Sequence, residues 1–538
     1  MKRFMSRLAV LLLLAACLWA ADTQELRFVL RSEPKTFNPV LVAEDASDTI
    51  RYLTGGVLIR FNRKTQQLEP ELAKSWTVSK DGRQITFKLR DAVVFSDGTP
   101  FSADDVAYTV KQLMAPEVHS PTADAFRSGN GDVATQSPGK YQVTVIFPAP
   151  VAGLARMFDQ VAIMSATSPQ KERAVLGAFT VDEYKPGAYV LLKRNPHYWK
   201  KDSSGRQLPY LDTVRLDIQQ NRDLELLRFR RGEIHLINEL SPDLFDRLAS
   251  ETSAVTYDAG PSMDSEFLWF NQASKAQIPS YKLDWFRSAN FRRAISSAIN
   301  RDDISRLVYG KHAQPAVGPV SPANHFWFNS KLKPHPFDRK GALARLAQDG
   351  FRAEGNSLRD KHGNTVEFSI ITNAGNKARE RMATLIQQDL AEIGVKVNVI
   401  ALDFPSLIDR MTQSFNYEAI LLGLVNTELD PNSQMTVWLS SGDNHQWNPN
   451  QKSPETPWEA EIDKLMRAQA SNPDAKKRKQ YFDRVQEIVW EQAPFIYLVN
   501  KNALCAISSA VHPAEPVVLR PQTYWNAERM MLASDGKK

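Results

Sequence analysis

Between residues 68 and 106 three local signals follow one another closely enough to restrict what the chain can build. Gln84 to Leu89 alternates, with Ile85, Phe87 and Leu89 on one side and Gln84, Thr86 and Lys88 on the other. That period of two predicts a half-buried strand. Asp81-Gly82 before it and Asp97-Gly98 after it are turn dipeptides. Ser102 then precedes a helical run with Asp105 three residues on. A side-chain oxygen at that point accepts an orphan amide proton, and a carboxylate favours the positive helix end. Strand and helix signals continue to alternate. Strands are expected at 26–30, 141–147, 366–372, 395–402, 494–499 and 504–507. An amphipathic helix leading into a strand is expected at 52–61, and further helices at 154–158, 378–393 and 481–490. Gly394 follows the 378–393 helix as a stop. Such alternation implies α/β layers, sheets covered by helices.

The first residues are read as a targeting segment. Lys2, Arg3 and Arg7 precede an apolar run from Leu8 to Ala16 that is too short to span a bilayer. Leu14-Ala15-Ala16-Cys17 matches a bacterial lipobox. The favoured route is cleavage before Cys17 and lipidation of its thiol, which would hold the protein at a membrane surface. The rival is ordinary cleavage near Ala20 or Ala21, where Trp19 makes a poor small-residue site. Residues 1–21 are taken as leader. Without the three leader cations the net charge of +6 falls to +3, which argues against nucleic acid as a partner. The chain holds 2 cysteines. With Cys17 lipidated or removed, no intramolecular disulfide can form, and Cys505 reads as a small apolar core residue.

Leu72, Ala73, Ser75 and Trp76, then Asp81, Gly82, Phe87, Leu89 and Arg90, then Phe95, Asp97, Gly98, Pro100, Phe101, Ala103, Asp105 and Val106 occur in a fixed order. That order resembles the family 5 extracellular solute-binding proteins of bacterial ABC importers, the oligopeptide, dipeptide and nickel type. Asn195, Tyr198 and Trp199, the Arg292–Arg301 segment and Leu268-Trp-Phe-Asn271 continue the resemblance across nearly the whole mature chain. Gly177-Ala178-Phe179 departs from the family pattern and leaves the local loop open. The resemblance implies a two-lobed periplasmic-binding-protein fold of the cluster C type, with an extra subdomain and a hinge. The implied division is 22–60, 180–272 and 500–538 for the first lobe, 61–179 for the subdomain and 273–499 for the second lobe, with crossovers near Asn271 and Asn500. The long motif reads as scaffold rather than as ligand contacts.

G-x-S-x-G, the phosphate loop and G-x-G-x-x-G are missing from the sequence, so neither an esterase elbow nor a nucleotide site is expected. His325, His335 and His445 read as surface or satisfied histidines, and no cofactor or metal is expected. In peptide-binding relatives an aspartate shortly before an Asp-Pro pair holds the peptide's ammonium group. Asp430-Pro431 matches that pair. The aspartate position falls on Thr427, with Glu428 beside it, and the usual upstream aromatic falls on Leu424. Either Glu428 replaces the aspartate or the ligand presents no ammonium there. Asn426, Thr427, Glu428, Asp430 and Asn271 are the candidate ligand contacts. For Asp430, capping of a helix through Met435 to Leu439 is an equal alternative. The resemblance implies a monomer in the periplasm or at the cell surface. It would capture a short peptide and deliver it to a permease with its ATPase subunits. Its rivals are a sugar oligomer, an opine-like compound or a chelated metal as ligand, or an enzyme or receptor built on the same scaffold.

Overall fold

The computed structural model describes residues 24–126, 131–251, 255–424 and 429–533. The leader with Cys17 and the segment holding Asn426, Thr427 and Glu428 lie outside the described residues.

Among the described residues, eleven strands join in one sheet. Two of them are long: Thr256–Phe270 and Phe495–Ile507. They run antiparallel from the Thr256/Ala506 pair to the Trp269/Phe495 pair. On one flank of this pair stand Ala419–Leu424, Glu367–Asn373 and Lys396–Leu402; on the other stand Leu236–Ile237, Glu25–Leu30, Thr213–Ile218, Tyr189–Arg194 and Phe179–Lys185. The flanks carry separate cores, which makes the molecule two-lobed, with the long strands passing through both lobes.

Strand periodicity explains how the second lobe is filled. Successive side chains of a strand point to opposite faces. Leu268 and Phe270 enter one core with Phe286, Phe291, Phe368 and Ile386. Phe267 and Trp269, one residue out of phase, enter another with Trp438, Trp447, Phe482 and Phe495. Both faces are covered, so the strand reads as a continuous apolar run. The first lobe packs Leu26, Phe28 and Leu30 against Val190, Leu192, Val214 and Leu216, and against Ile507, Tyr524 and Met530 from the far end of the chain. A third core, between Val40 and Leu176, belongs to a four-stranded sheet of Ala73–Val78, Gln84–Leu89, Gln142–Ile146 and Ala134–Gly139 with its helix Ala103–Met114.

The opening motif is scaffold. Ile85 and Phe87 are fully buried, and Gly82 and Gly98 take φ of 69° and 86°, which an L side chain adopts only with strain. Ser102 caps its helix through the amide of Asp104, and the Asp105 carboxylate accepts from the Ser102 amide at 2.8 Å. Arg90 lies 4.2 Å over the Trp199 ring, so the two ends of the motif set meet. Asn195 closes the stretch that departs from the family pattern: its side-chain amide donates to the Gly177 carbonyl at 2.9 Å. Arg292 and Arg301 are buried guanidiniums that donate to backbone carbonyls of Phe286, Gln492, Ser296 and Tyr497. Burial lowers them to about 9 and about 10, respectively.

One expected element is displaced. The helix expected to run from 52 toward the next strand is Asp45–Thr54 instead. Glu44 caps its start, and Gly55-Gly56 stop it. Neither glycine tolerates a side chain, since a Cβ on Gly56 would fall 2.5 Å from that of Leu176.

Candidate functional site

Where the lobes face each other the long strands lose regular pairing. The register shifts between Asp258 and Pro261, between Pro261 and Ser265, and between Glu266 and Phe267. An extra residue in one strand bends it and re-aims side chains. This bent stretch forms the floor of a cavity of about 840 Å³. Ser262, Asp264 and Glu266 come from one strand and Lys501 and Asn502 from its partner. The walls come from Glu44 to Arg51 and Leu240 to Pro242 on the first-lobe side, and from Tyr309, His312 and Asn376 on the second-lobe side. Its volume lies in the range that holds drug-sized ligands, about 300–1,000 Å³.

One end of the cavity is apolar. Phe61, Leu429 and Leu519, all more than nine-tenths buried, pack together with Met263 and Val518. These residues come from far-apart parts of the chain, so the cluster draws subdomain, second lobe and C-terminal segment together. Gln66 does the same at the surface. Its amide donates to the Ala323 carbonyl at 2.6 Å and its oxygen accepts from the His325 amide at 3.2 Å.

The charged groups of the wall are mostly committed to one another. Glu44 accepts from the amides of Ala46 and Ser47. Asp48 pairs with Arg51 at 2.6 Å. Asp159 pairs with Arg63 at 2.8 Å, and although burial alone would raise its pKa, Arg63 and Arg60 hold it below the usual range. Glu239 is likewise held low, against burial, by Arg520 and Arg31. Glu266 is bound by Arg379 at 2.8 Å. His312 bridges Asp246 at 2.8 Å and Asp258 at 3.0 Å; burial opposes its charge, but the two carboxylates outweigh it and raise its pKa. Arg156 lies 3.6 Å over the Phe61 ring. The cavity thus presents both signs of charge beside an apolar end.

The expected contacts are placed unevenly. Asn271 is fully buried, away from the cavity lining; its side-chain amide donates to the carbonyls of Phe415 and Tyr417 at 3.0 and 2.9 Å. Asp430 also lies outside the lining. It accepts from the Asn432 amide at 3.0 Å, capping the short turn Pro431–Gln434 rather than the helix after it, and Arg478 grips both its oxygens. The role of each side chain here is to hold backbone, because its polar atoms are already spent. The described neighbours of the segment 425–428 do adjoin the cavity: Leu424 pairs with Ser265, and Leu429 is part of the lining. No residue of the opening motif lines the cavity. Sequence reading missed Asp264, Lys501 and His312. A signal existed for the first two, since Gly260-Pro261 interrupts one strand run and Lys501-Asn502 interrupts the other.

His335 and His445 are satisfied, the first between the Ser296 hydroxyl and the Trp490 carbonyl, the second between the Val437 carbonyl and Glu459. His325 is exposed. Cys505 is fully buried, its pKa pushed up to about 12 by burial. Among the described residues no cluster of metal-ligating side chains occurs, and no helix is long and apolar enough to cross a membrane.

Comparison with known proteins bears on this geometry. The profile of the bacterial extracellular solute-binding proteins, family 5, matches residues 67–446. A protein of Deinococcus radiodurans described as a "probable ABC transporter-binding protein" is 30% identical over 516 residues, covering 87% of this chain and 85% of its own. The oligopeptide-binding protein AppA of Bacillus subtilis is 24% identical over 495 residues, with 87% and 85% covered. Among solved structures, the ABC transporter substrate-binding protein CtaP of Listeria monocytogenes superposes with a TM-score of 0.77 at 23% identity, over 95% of this chain and 99% of that one. The shared fold is the two-lobed one described above.

Proposed function

The chain belongs to the bacterial extracellular solute-binding proteins, family 5, which serve ABC importers, and from that premise we propose that it captures a short peptide between its lobes for delivery to a membrane permease. The observation that carries this reading is the cavity of about 840 Å³ floored by the two strands that pass through both lobes. A hinge made of two bent strands lets the lobes close on a ligand by rigid-body rotation. The mixed charge of the wall suits a zwitterion, and the apolar end suits a side chain. The name of the Bacillus subtilis relative, an oligopeptide-binding protein, favours the same class.

In this reading the protein binds without catalysis, works as a monomer, and partners a permease with its ATPase subunits. The first lobe comprises 22–60, 180–272 and 500–538, the subdomain 61–179 and the second lobe 273–499; three separate hydrophobic cores support a division into three bodies, with Val40 packed in the subdomain's core and Leu268 and Phe270 in the second lobe's. Asn426, Thr427 and Glu428 contact the ligand, supported by the cavity-facing position of Leu429 next to them. Cys17 carries the lipid that tethers the protein outside the cytoplasmic membrane, supported by the lipobox.

Native mass spectrometry of protein purified without unfolding tests the ligand class. A co-purified peptide mass is expected. An oligosaccharide, opine or metal-chelate mass would overturn the peptide assignment. Turnover of a bound peptide into fragments by homogeneous protein would overturn the pure-binding reading.

A further inference from the structure

Among the described residues seven carboxylates line the cavity, and one stands apart. Glu44, Asp48, Asp159, Glu239 and Glu266 each accept hydrogen bonds at short range. Asp45 projects into solvent, its side chain 95% exposed. Asp264 is only 20% exposed, yet among the described residues nothing donates a hydrogen bond to its carboxylate. Among the described residues its one ion pair is with the Lys501 ammonium at 3.7 Å, beyond hydrogen-bonding distance and shared at 3.7 Å with Glu266.

The backbone of Asp264 is pinned. The side-chain amide of Asn500 donates to its carbonyl at 3.2 Å, and its own amide donates to the Ser262 hydroxyl at 3.2 Å. Ser262 in turn has its carbonyl held by the Ser321 hydroxyl at 2.5 Å. Asp264 sits between the register shifts at Pro261 and at Phe267, on the irregular stretch that turns side chains toward the cavity. These hydrogen bonds fix the backbone and use neither oxygen of the carboxylate, which faces the cavity. Burial raises the Asp264 pKa, and Lys501 offsets this in part. Glu266 and Glu239 add negative potential nearby.

We propose that Asp264 is the cleft residue that receives a cationic amine of the ligand, inserted between its carboxylate and the cavity and completing its hydrogen bonds. The assignment rests on the reading of the cavity as the ligand site, and it places amine recognition on the hinge strand rather than on the segment 426–428. Because the hinge strand belongs to both lobes, the contact would be made in the open form and retained on closure. Glu428 is not needed for it.

The experiment compares wild type with Asp264→Asn, an isosteric change, against a pool of tripeptides with free or acetylated amino termini, read by competitive native mass spectrometry. Wild type is expected to favour the free-amine forms. The variant should lose at least about 30-fold for them, the lower end of what truncating one partner of a buried charge pair costs, and bind the acetylated forms as wild type does. Its melting temperature should stay close to or above that of wild type, since no hydrogen bond is lost and the Lys501 ammonium keeps Glu266. Equal affinity of both proteins for free-amine tripeptides would overturn the proposal. A lowered melting temperature with unchanged preference would also overturn it, by making Asp264 structural. If wild type binds neither form, the peptide reading fails, and the proposal is then decided with spermidine. Binding by wild type that is lost in Asp264→Asn sustains it; absent or equal binding overturns it.

Discussion

Arg478 holds Asp430 with both terminal nitrogens, at 2.9 and 2.6 Å, while its Nε donates to the Gln469 carbonyl at 3.0 Å. The guanidinium is 3% exposed and lies 5.0 Å over the Trp327 ring. A planar fork that matches both carboxylate oxygens is the strong form of an ion pair. Asp430 thereby becomes the anchor at the end of the segment expected to touch the ligand. Gly153 from the subdomain approaches the same carboxylate so closely that a Cβ would come within 2.8 Å of it.

Breaking that pair should cost stability. Arg478→Met leaves Asp430 uncompensated and is expected to lower unfolding free energy by about 3 kcal/mol, the lower end for a buried pair losing one partner. Urea titration of wild type and variant checks this. A loss below about 0.5 kcal/mol would show the pair to be ornamental.

Glu225 offers a pH-dependent test. Its side chain is 6% exposed, accepts no hydrogen bond from the described residues, and has Arg222 at 3.8 Å. Burial raises it from 4.5 to about 7, with Arg31 pulling it down and Glu239 pushing it up. A carboxyl whose folded pKa is raised keeps its proton longer in the fold than in the unfolded chain. Folding stability therefore falls as pH rises from about 4.5 to about 7. Glu225→Gln removes this loss. At pH 8 it should be more stable than wild type by roughly 2 kcal/mol, and at pH 4 the two should melt together.

His312 works in the opposite sense. Its pKa is raised above 6.5 by Asp258 and Asp246 against the effect of burial. The ion pairs thus contribute fully below about pH 6.5 and fade as pH rises through the folded value. They link the helix Pro242–Glu251 and the long strand to the turn that follows the Arg301–Tyr309 helix. His312→Gln should cost about 1 kcal/mol at pH 5.5, as for a partly exposed pair, and less at pH 9. A uniform effect across pH, measured by chemical denaturation, would remove the charge from the explanation.

Gln66 is expected to favour the closed form. Gln66→Ala deletes its bonds to Ala323 and His325. One such hydrogen bond contributes about 1 kcal/mol, so ligand affinity should drop about fivefold. Small-angle scattering of the ligand-free variant should show a larger radius of gyration than wild type. An unchanged radius and affinity would mean that Gln66 plays no part in closure.

What sequence reading recovered was local. The alternation at Gln84–Leu89, the cap at Ser102 and Asp105, the helix ended by Gly394 and the buried Cys505 depend on residues a few positions apart. The helix Asp45–Thr54 was misplaced although its cap Glu44 and its stop Gly55-Gly56 are local signals. The cavity was missed because its signals are not local. In sequence Asp264 and Lys501 are marked only by interruptions of their strand runs, and their meaning arises when a bend brings them to one floor. Asp430 was read from its neighbour Pro431, but its role is set by Arg478, forty-eight positions on.

The first strand, Glu25–Leu30, emerges early from the ribosome but finds its packing partners late. Leu26, Phe28 and Leu30 share a core with Ile507, Val511, Tyr524 and Met530, and Phe28 stacks on Tyr524 at 4.9 Å. Domains commonly fold as units in the order of synthesis. Here the lobe that is begun first cannot bury its apolar face until the last stretch of chain has been made. A polypeptide that stops short of residue 507 therefore leaves that face uncovered and open to proteases.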